Sequence, residues 1–284
     1  MASASPPSKA SSITGDPHPG RSVFAFFLLT YSLTWICWIP VVLVPNFSRT
    51  LGYALWLVGT FAPAIMALSL TAKTEGKDGV GALVSRLFRW QVAAQWYVFA
   101  VAFIVVVKLA AAVLHRLIIG AWPRFGSQFP VLMLVATLFS TPVQSGEEIG
   151  WRGYALPRLA ELMGYARASL VLGVVWACWH LPQFFFVAAD TYKQSFPIWS
   201  LQVVALSVAM AWLYVGTKSS LLLTMLMHAA VNNLKDIVPS VVAHPTNAFS
   251  LQASPVMYLT AIVMWVAAAY FLIRFRGRIN SAPT

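Results

Sequence analysis

Eight long apolar stretches separated by short polar segments run the length of this chain, near 23–44, 51–72, 94–118, 130–146, 166–188, 198–216, 219–238 and 255–274. Most are about 20 residues, the length a helix needs to cross a ~30 Å hydrocarbon core. They lack the period-2 alternation of a membrane β-barrel strand. The pattern predicts an all-α fold, a polytopic membrane bundle of about eight transmembrane helices without internal repeat. Residues 1–21, rich in Ser, Pro, Ala and Gly, are expected to form a disordered cytoplasmic tail. Residues 22–275 form the transmembrane domain and 276–284 a second short tail. The first stretch is longer than a signal-peptide core and has no convincing cleavage site after it, so it is read as a retained span.

Composition agrees with the pattern. Hydrophobic residues make up 59% and charged residues 10%, with a mean hydropathy of +0.74, which excludes a soluble domain. The net charge of +11 lies in short loops and at the chain ends, so it reports topology and not a nucleic-acid partner. With the N-terminus inside, the cytoplasmic side holds 13 Lys and Arg: Lys9 and Arg21, four between Lys73 and Arg89, Arg152, Arg158 and Arg167, Lys218, and Arg274, Arg276 and Arg278. The other side holds five, Arg49, Arg116, Arg124, Lys193 and Lys235. Both termini are therefore predicted to be cytoplasmic, with the end of span four facing the same way. Cys37 and Cys178 fall in apolar helices, which indicates neither a disulfide framework nor a cysteine-based metal site.

Between spans two and three, Val80, Leu83, Val84, Leu87 and Phe88 recur at helical spacing with Arg86 and Arg89 on another face. This is either a short interfacial helix or a basic loop that only sets orientation. Lys108 lies near the middle of span three, where an ammonium needs a counter-ion, a solvated crevice or a snorkelling path.

Candidate chemistry begins with acid. The chain has 8 Asp and Glu, and two of them, Glu147 and Glu148, are adjacent at the end of an apolar run. A carboxylate at the centre of a spanning helix costs about 2.5–3.5 kcal/mol on insertion scales, so a pair there is a functional-site hypothesis. Glu148 and Arg152 are i and i+4 and can pair on one helix face, while Glu147 is turned about 100° away. One carboxylate can be held by the arginine while its neighbour faces a cavity. Trp176 and His180 repeat the interval in WACWH, and His228 and Asn232 repeat it in HAAVN. Amide hydrolysis needs a base for water and donors for the oxyanion; glutamate and histidine suit the first task, histidine and asparagine the second. Each piece alone has a bland reading as boundary charge, packing histidine or helix–helix glue. Three in consecutive hydrophobic regions argue for a site.

EExxxR, then aromatic-xxx-His, then HxxxN on successive membrane helices resembles the CAAX-protease and bacteriocin-processing (CPBP or Abi) family, which includes the type II CAAX prenyl endopeptidases. The resemblance covers roughly residues 130–240 and is strongest in EEIGWRGYALPRL, residues 147–159. It implies an intramembrane endopeptidase acting near the cytoplasmic face, in the lipid bilayer, on a peptide or a lipidated protein, prenylated ones included. It further implies that Glu147 activates water with His180, that His228 and Asn232 hold the oxyanion, and that Glu148 and Arg152 form a supporting pair. The second motif in that family often begins with Phe, where this chain has Trp176, which points to a changed cavity wall. Metal-free chemistry with no cofactor is favoured; a zinc-dependent version would use Glu147, His180 and His228 as ligands. The rivals are a non-catalytic immunity or scaffold protein of the same fold and a proton-coupled transporter, the latter disfavoured by the absence of a repeat.

Overall fold

The computed structural model describes residues 14–44, 46–240 and 247–279. The fold is an all-helical bundle, with no strand among the described residues. Its helices are α1 (Pro19–Leu43), α2 (Arg49–Ser85), α3 (Ala94–Ile119), α4 (Pro130–Ser140), α5 (Leu156–Trp179), α6 (Phe196–Gly216), α7 (Leu221–Leu234) and α8 (Pro255–Ile279). Every expected apolar stretch contributes helix, but not eight regular spans. Six segments of the described chain are long and apolar enough to cross a membrane, and α7 is only 14 residues long.

Two departures from regular periodicity place the site. Span four, expected over 130–146, does not stop there. After α4 the chain passes through a 3₁₀ turn (Thr141–Gln144), a short α turn (Ser145–Glu148) and a π-helical turn (Ile149–Ala155) directly into α5. The glutamate pair thus sits in the middle of a continuous helical path, not at its end. Single-turn π segments are rare and favour functional positions. This one packs hard on α2: a Cβ on Gly150 would lie 2.5–2.7 Å from Pro63, partly against its backbone. The path breaks at Gly164, whose φ of 75° ends one helical direction and starts another.

A similar break at Gly76 (φ 68°) separates the membrane-length part of α2 from a short helix that continues into the turn Arg86–Phe88. This is the segment in which Val80, Leu83, Val84, Leu87 and Phe88 recur at helical spacing, and it is helical through Phe88. Leu83 is buried against Gly153, and Arg86 donates to Gly153 O at 3.2 Å and to the Tyr214 hydroxyl at 3.1 Å. Its face is therefore docked on the bundle.

The expected disorder of residues 1–21 requires correction for its second half; residues 1–13 lie outside the described part. Thr14 donates through its backbone N–H and its hydroxyl to Glu161, Arg158 donates to Asp16 at 2.9 Å and to Glu75, and α1 begins at Pro19. Buried ion pairs hold this segment, which composition alone does not reveal.

The core is unusually aromatic. Trp38, Trp151 and Trp179 are fully buried, with the Trp151 and Trp179 rings edge-on at 5.7 Å. Trp90 and Trp122 are exposed, so the tryptophans divide between packing and surface roles.

Contacts between connections define two ends of the bundle. One end holds the start of α1, the α2–α3 connection, the start of α5 and the α6–α7 turn, where Ser220 donates to Arg89 O at 2.6 Å. The other holds the α1–α2, α5–α6 and α7–α8 connections. There Phe196 N–H donates to Ala248 O at 2.8 Å, and Trp56 packs on Phe186.

Candidate active site

The helical path through Glu147 and Glu148 gives the two acids opposite surroundings. Glu148 is completely buried. Its Oε1 accepts from Arg152 Nη1 at 2.9 Å and from His228 Nδ1 at 2.9 Å. Glu147 instead lines a cavity of about 1140 Å³ together with Gln144, Trp176, His180, His228 and Asn232. One acid is sequestered by the arginine and the other faces open space, as the interval of the motif implied.

Trp176 joins the two halves. Its indole N–H donates to Glu147 Oε2 at 2.7 Å, while the Arg152 guanidinium lies 4.1 Å from its ring centroid. The ring is thus more than a changed cavity wall: it presents a donor to one acid and a cation–π face to the partner of the other.

His180 closes the far end of α5. Its Nδ1 lies 2.8 Å from Trp176 O. A carbonyl can only accept, so Nδ1 carries the proton, and the neutral ring has a bare lone pair on Nε2. That Nε2 lies 3.9 Å from Glu147 Oε2. Two acceptors face each other across a gap too long for a direct hydrogen bond and short enough for one oxygen to touch both.

The HxxxN pair is split in its contacts. His228 is anchored through Nδ1 to Glu148, so in the neutral ring its Nε2 is an acceptor, and only the imidazolium offers a second N–H. Asn232 Nδ2 reaches Gln144 Oε1 at 3.5 Å, the outer limit of a hydrogen bond, and the residue is exposed to the cavity. Asn233, one position on, donates to Ser140 Oγ and to Ala229 O, both at 2.8 Å, and ties α7 to α4. Gln144, which carries no motif signal, is the cavity residue that sequence reading missed.

The three side chains named for a zinc site are Glu147, His180 and His228. Among the described residues no three His, Cys, Asp or Glu side chains converge as a metal site. Glu147 Oε2 is taken by the indole, and His228 meets Glu148 instead of Glu147 and His180.

Residues 126–234, which hold every member of this constellation, match the pattern of the "Type II CAAX prenyl endopeptidase Rce1-like" family. The chain is also similar to a protein of Methanococcus maripaludis named CAAX prenyl protease 2, with 28% identity over 235 residues, 73% of this chain and 81% of the relative. Over the part that carries the site, the chain is thus similar to CAAX proteases. These likenesses and the run of apolar helices support a multi-pass membrane protein similar to a protease.

The cavity extends toward the end of the bundle opposite the start of α1. Its lining includes Asn46, Phe47 and Ser48 from the α1–α2 connection, Ala188 to Thr191 from α5–α6, and Lys235, Asp236 and Ser240 beyond α7. The cavity lining thus lies toward the end of the bundle away from the start of α1, whereas the sequence places the glutamates toward the same side as the termini. The sequence reading joined them because it ended span four at residue 146, and the helical path in fact continues past Arg158.

Proposed function

We propose that this protein is an intramembrane endopeptidase in which Glu147 and His180 activate water for attack on a peptide bond. The single observation that carries the reading is the contrast between the acids: Glu148 is locked by Arg152 and His228, while Glu147 faces both the cavity and the bare Nε2 of His180. Water held between Glu147 Oε2 and His180 Nε2 points its protons at the two acceptors and its lone pair into the cavity. The oxygen attacks the carbonyl carbon, Glu147 takes the proton and returns it to the leaving amine. The Asn232 amide, loosely held by Gln144, turns to the developing oxyanion, and His228 assists in its protonated form, supported by Glu148. Glu148 and Arg152 are positioning residues. No step is routed through a metal.

The substrate class follows the family: a membrane-associated protein or peptide carrying a prenylated cysteine near its C-terminus. For orientation, the charge distribution supports cytoplasmic termini. Arg152 and Arg158 are buried in ion pairs and leave the count of 13, so 11 positive residues remain against five. On this reading the termini are cytoplasmic and the cavity end that holds Lys235 and Asp236 faces the other side.

Purified protein with a quenched prenylated-cysteine peptide tests the reading. Glu147→Gln should abolish hydrolysis with folding unchanged, and Asn232→Ala should lower kcat by roughly 10²–10³ with little change in KM. Near-wild-type turnover by Glu147→Gln would remove Glu147 from the base role.

A further inference from the structure

The cavity holds a cation that the hydrolytic chemistry does not use. Lys108 comes from the middle of α3, is 4% exposed and lines the same cavity as Glu147. Its Nζ donates to Ser240 Oγ at 3.0 Å. Among the described residues, that hydroxyl is its one hydrogen-bond partner and no carboxylate forms an ion pair with it. Of the acids near this end of the cavity, Asp190 and Asp236 pair with Lys235 at 3.0 Å and 3.6 Å, and Asp236 reaches Lys108 only through its field, without a direct ion pair. An ammonium has three donors, and burying one against a single neutral hydroxyl is costly. Snorkelling does not describe it, because its head lies in the protein's own cavity and not at the lipid interface.

We propose that Lys108, with Ser240, is the binding site for the free C-terminal carboxylate of the peptide whose bond is presented to Glu147. The inference rests on the peptidase reading for the identity of the ligand. A peptide chain end supplies one anionic group at a fixed distance beyond a scissile bond. A cation set apart from the base in one cavity therefore fixes both chain direction and the site of the cut. A charge-assisted hydrogen bond in a secluded site is also the interaction that most sharply separates a terminal acid from an internal peptide segment. Lys108 is a binding residue, and the selectivity it confers is for chain ends.

The experiment compares one prenylated-cysteine peptide in two forms, free acid and C-terminal carboxamide. Binding is measured to full-length Glu147→Gln protein in neutral-lipid nanodiscs, and hydrolysis with the wild type. The acid should bind about 10- to 100-fold more tightly than the amide, in line with the worth of a hydrogen bond to a charged group. Adding Lys108→Met should bring the acid down to the amide and leave the amide unchanged, while Lys108→Arg should restore part of the preference. Four results overturn the proposal: equal binding of acid and amide, equal loss of both on Lys108→Met, a preference that survives that substitution, or binding of neither peptide. If anionic-lipid nanodiscs abolish the preference, the natural occupant is a lipid phosphate and the proposal also falls. Hydrolysis without acid preference sinks the carboxylate site and spares the peptidase; acid preference without hydrolysis does the reverse.

Discussion

The indole of Trp176 and the carboxylate of Glu147 meet at 2.7 Å, and the donor in that contact is one that a phenylalanine cannot supply. Since Phe often begins this motif in the family, Trp176→Phe should fold and remain active. It leaves an aromatic face for Arg152 and removes only the N–H, so kcat should change by no more than about tenfold, the worth of one such hydrogen bond. Trp176→Ala removes both functions and should destabilise the protein by about 3–5 kcal/mol as a buried large-to-small change. Steady-state kinetics and thermal unfolding in detergent separate the two; comparable kinetics for both variants would strip Trp176 of its positioning role.

Glu148 should behave as a structural acid. Removing one partner of a buried ion pair leaves an uncompensated charge and costs about 3–5 kcal/mol. Glu148→Gln should therefore lower the unfolding midpoint well below that of Glu147→Gln. Because His228 loses its anchor as well, kcat should fall in whatever fraction stays folded. Equal stability of the two variants would reverse the assignment.

Stringent metal depletion should leave activity intact, and added zinc should not raise it. Chelator inhibition alone decides nothing, because such compounds can occupy an apolar cavity. Metal that co-purifies at about one per chain, disappears with His180→Ala and returns together with activity would establish the zinc mechanism instead.

Orientation is accessible to labelling in a protein whose Cys37 and Cys178 have been replaced. Ala188→Cys, exposed beside the cavity mouth, should react with a membrane-impermeant thiol reagent on intact cells. Lys77→Cys, exposed beyond the Gly76 break, should react only after permeabilisation. The opposite pattern would place the cavity mouth in the cytoplasm and the termini outside, against the charge asymmetry.

Acid should loosen the N-terminal clasp. Burial pushes the Asp16 carboxyl up, but the His18 N–H, the Ser22 hydroxyl and the Arg158 guanidinium outweigh it and hold Asp16 below the ordinary carboxylate range. A lowered value stabilises the fold fully above the unfolded value of about 3.9 and loses that contribution as pH falls through the folded one. The unfolding midpoint should drop on acidification below about pH 4, and Asp16→Asn should lower the neutral midpoint and flatten that limb. An unchanged acid limb would assign it to other carboxylates.

Helical intervals carried most of the site into view. Glu148 with Arg152, Trp176 with His180 and His228 with Asn232 are each one turn apart, a relation that a 3.6-residue repeat exposes in sequence. Contacts between helices were invisible to it. Nothing in HAAVN says that His228 turns to Glu148 and not to Glu147, and nothing in WACWH says that the indole N–H finds a carboxylate. The course of the chain was misjudged for a different reason. EEIGWRGYALPRL is too polar to extend an apolar span, yet its charged side chains are buried against partners within it and on other helices, and the helical path continues through it by a π turn. Hydropathy records the chemistry of side chains one at a time. Ion pairs inside the bundle cancel that chemistry, so a polar segment can lie where the scale alone would put only apolar ones.

The 14 residues of α7 cover about 21 Å, well short of a ~30 Å hydrocarbon core. The helix ends at Leu234 and a 3₁₀ turn follows, with Asn232, Lys235 and Asp236 lining the cavity, so water filling the cavity would carry the aqueous phase on that side below the membrane surface. The transmembrane voltage then falls across a thinner layer of protein, and the recess itself lies within the field. Moving one elementary charge through the whole field involves about 2.3 kcal/mol per 100 mV. On the orientation and substrate proposed above, an anionic chain end would enter from the outer face of an inside-negative membrane and move against that field, so turnover in energised vesicles should be slower than in detergent or collapsed vesicles. For this protein, membrane potential belongs among the variables of the assay alongside lipid and pH.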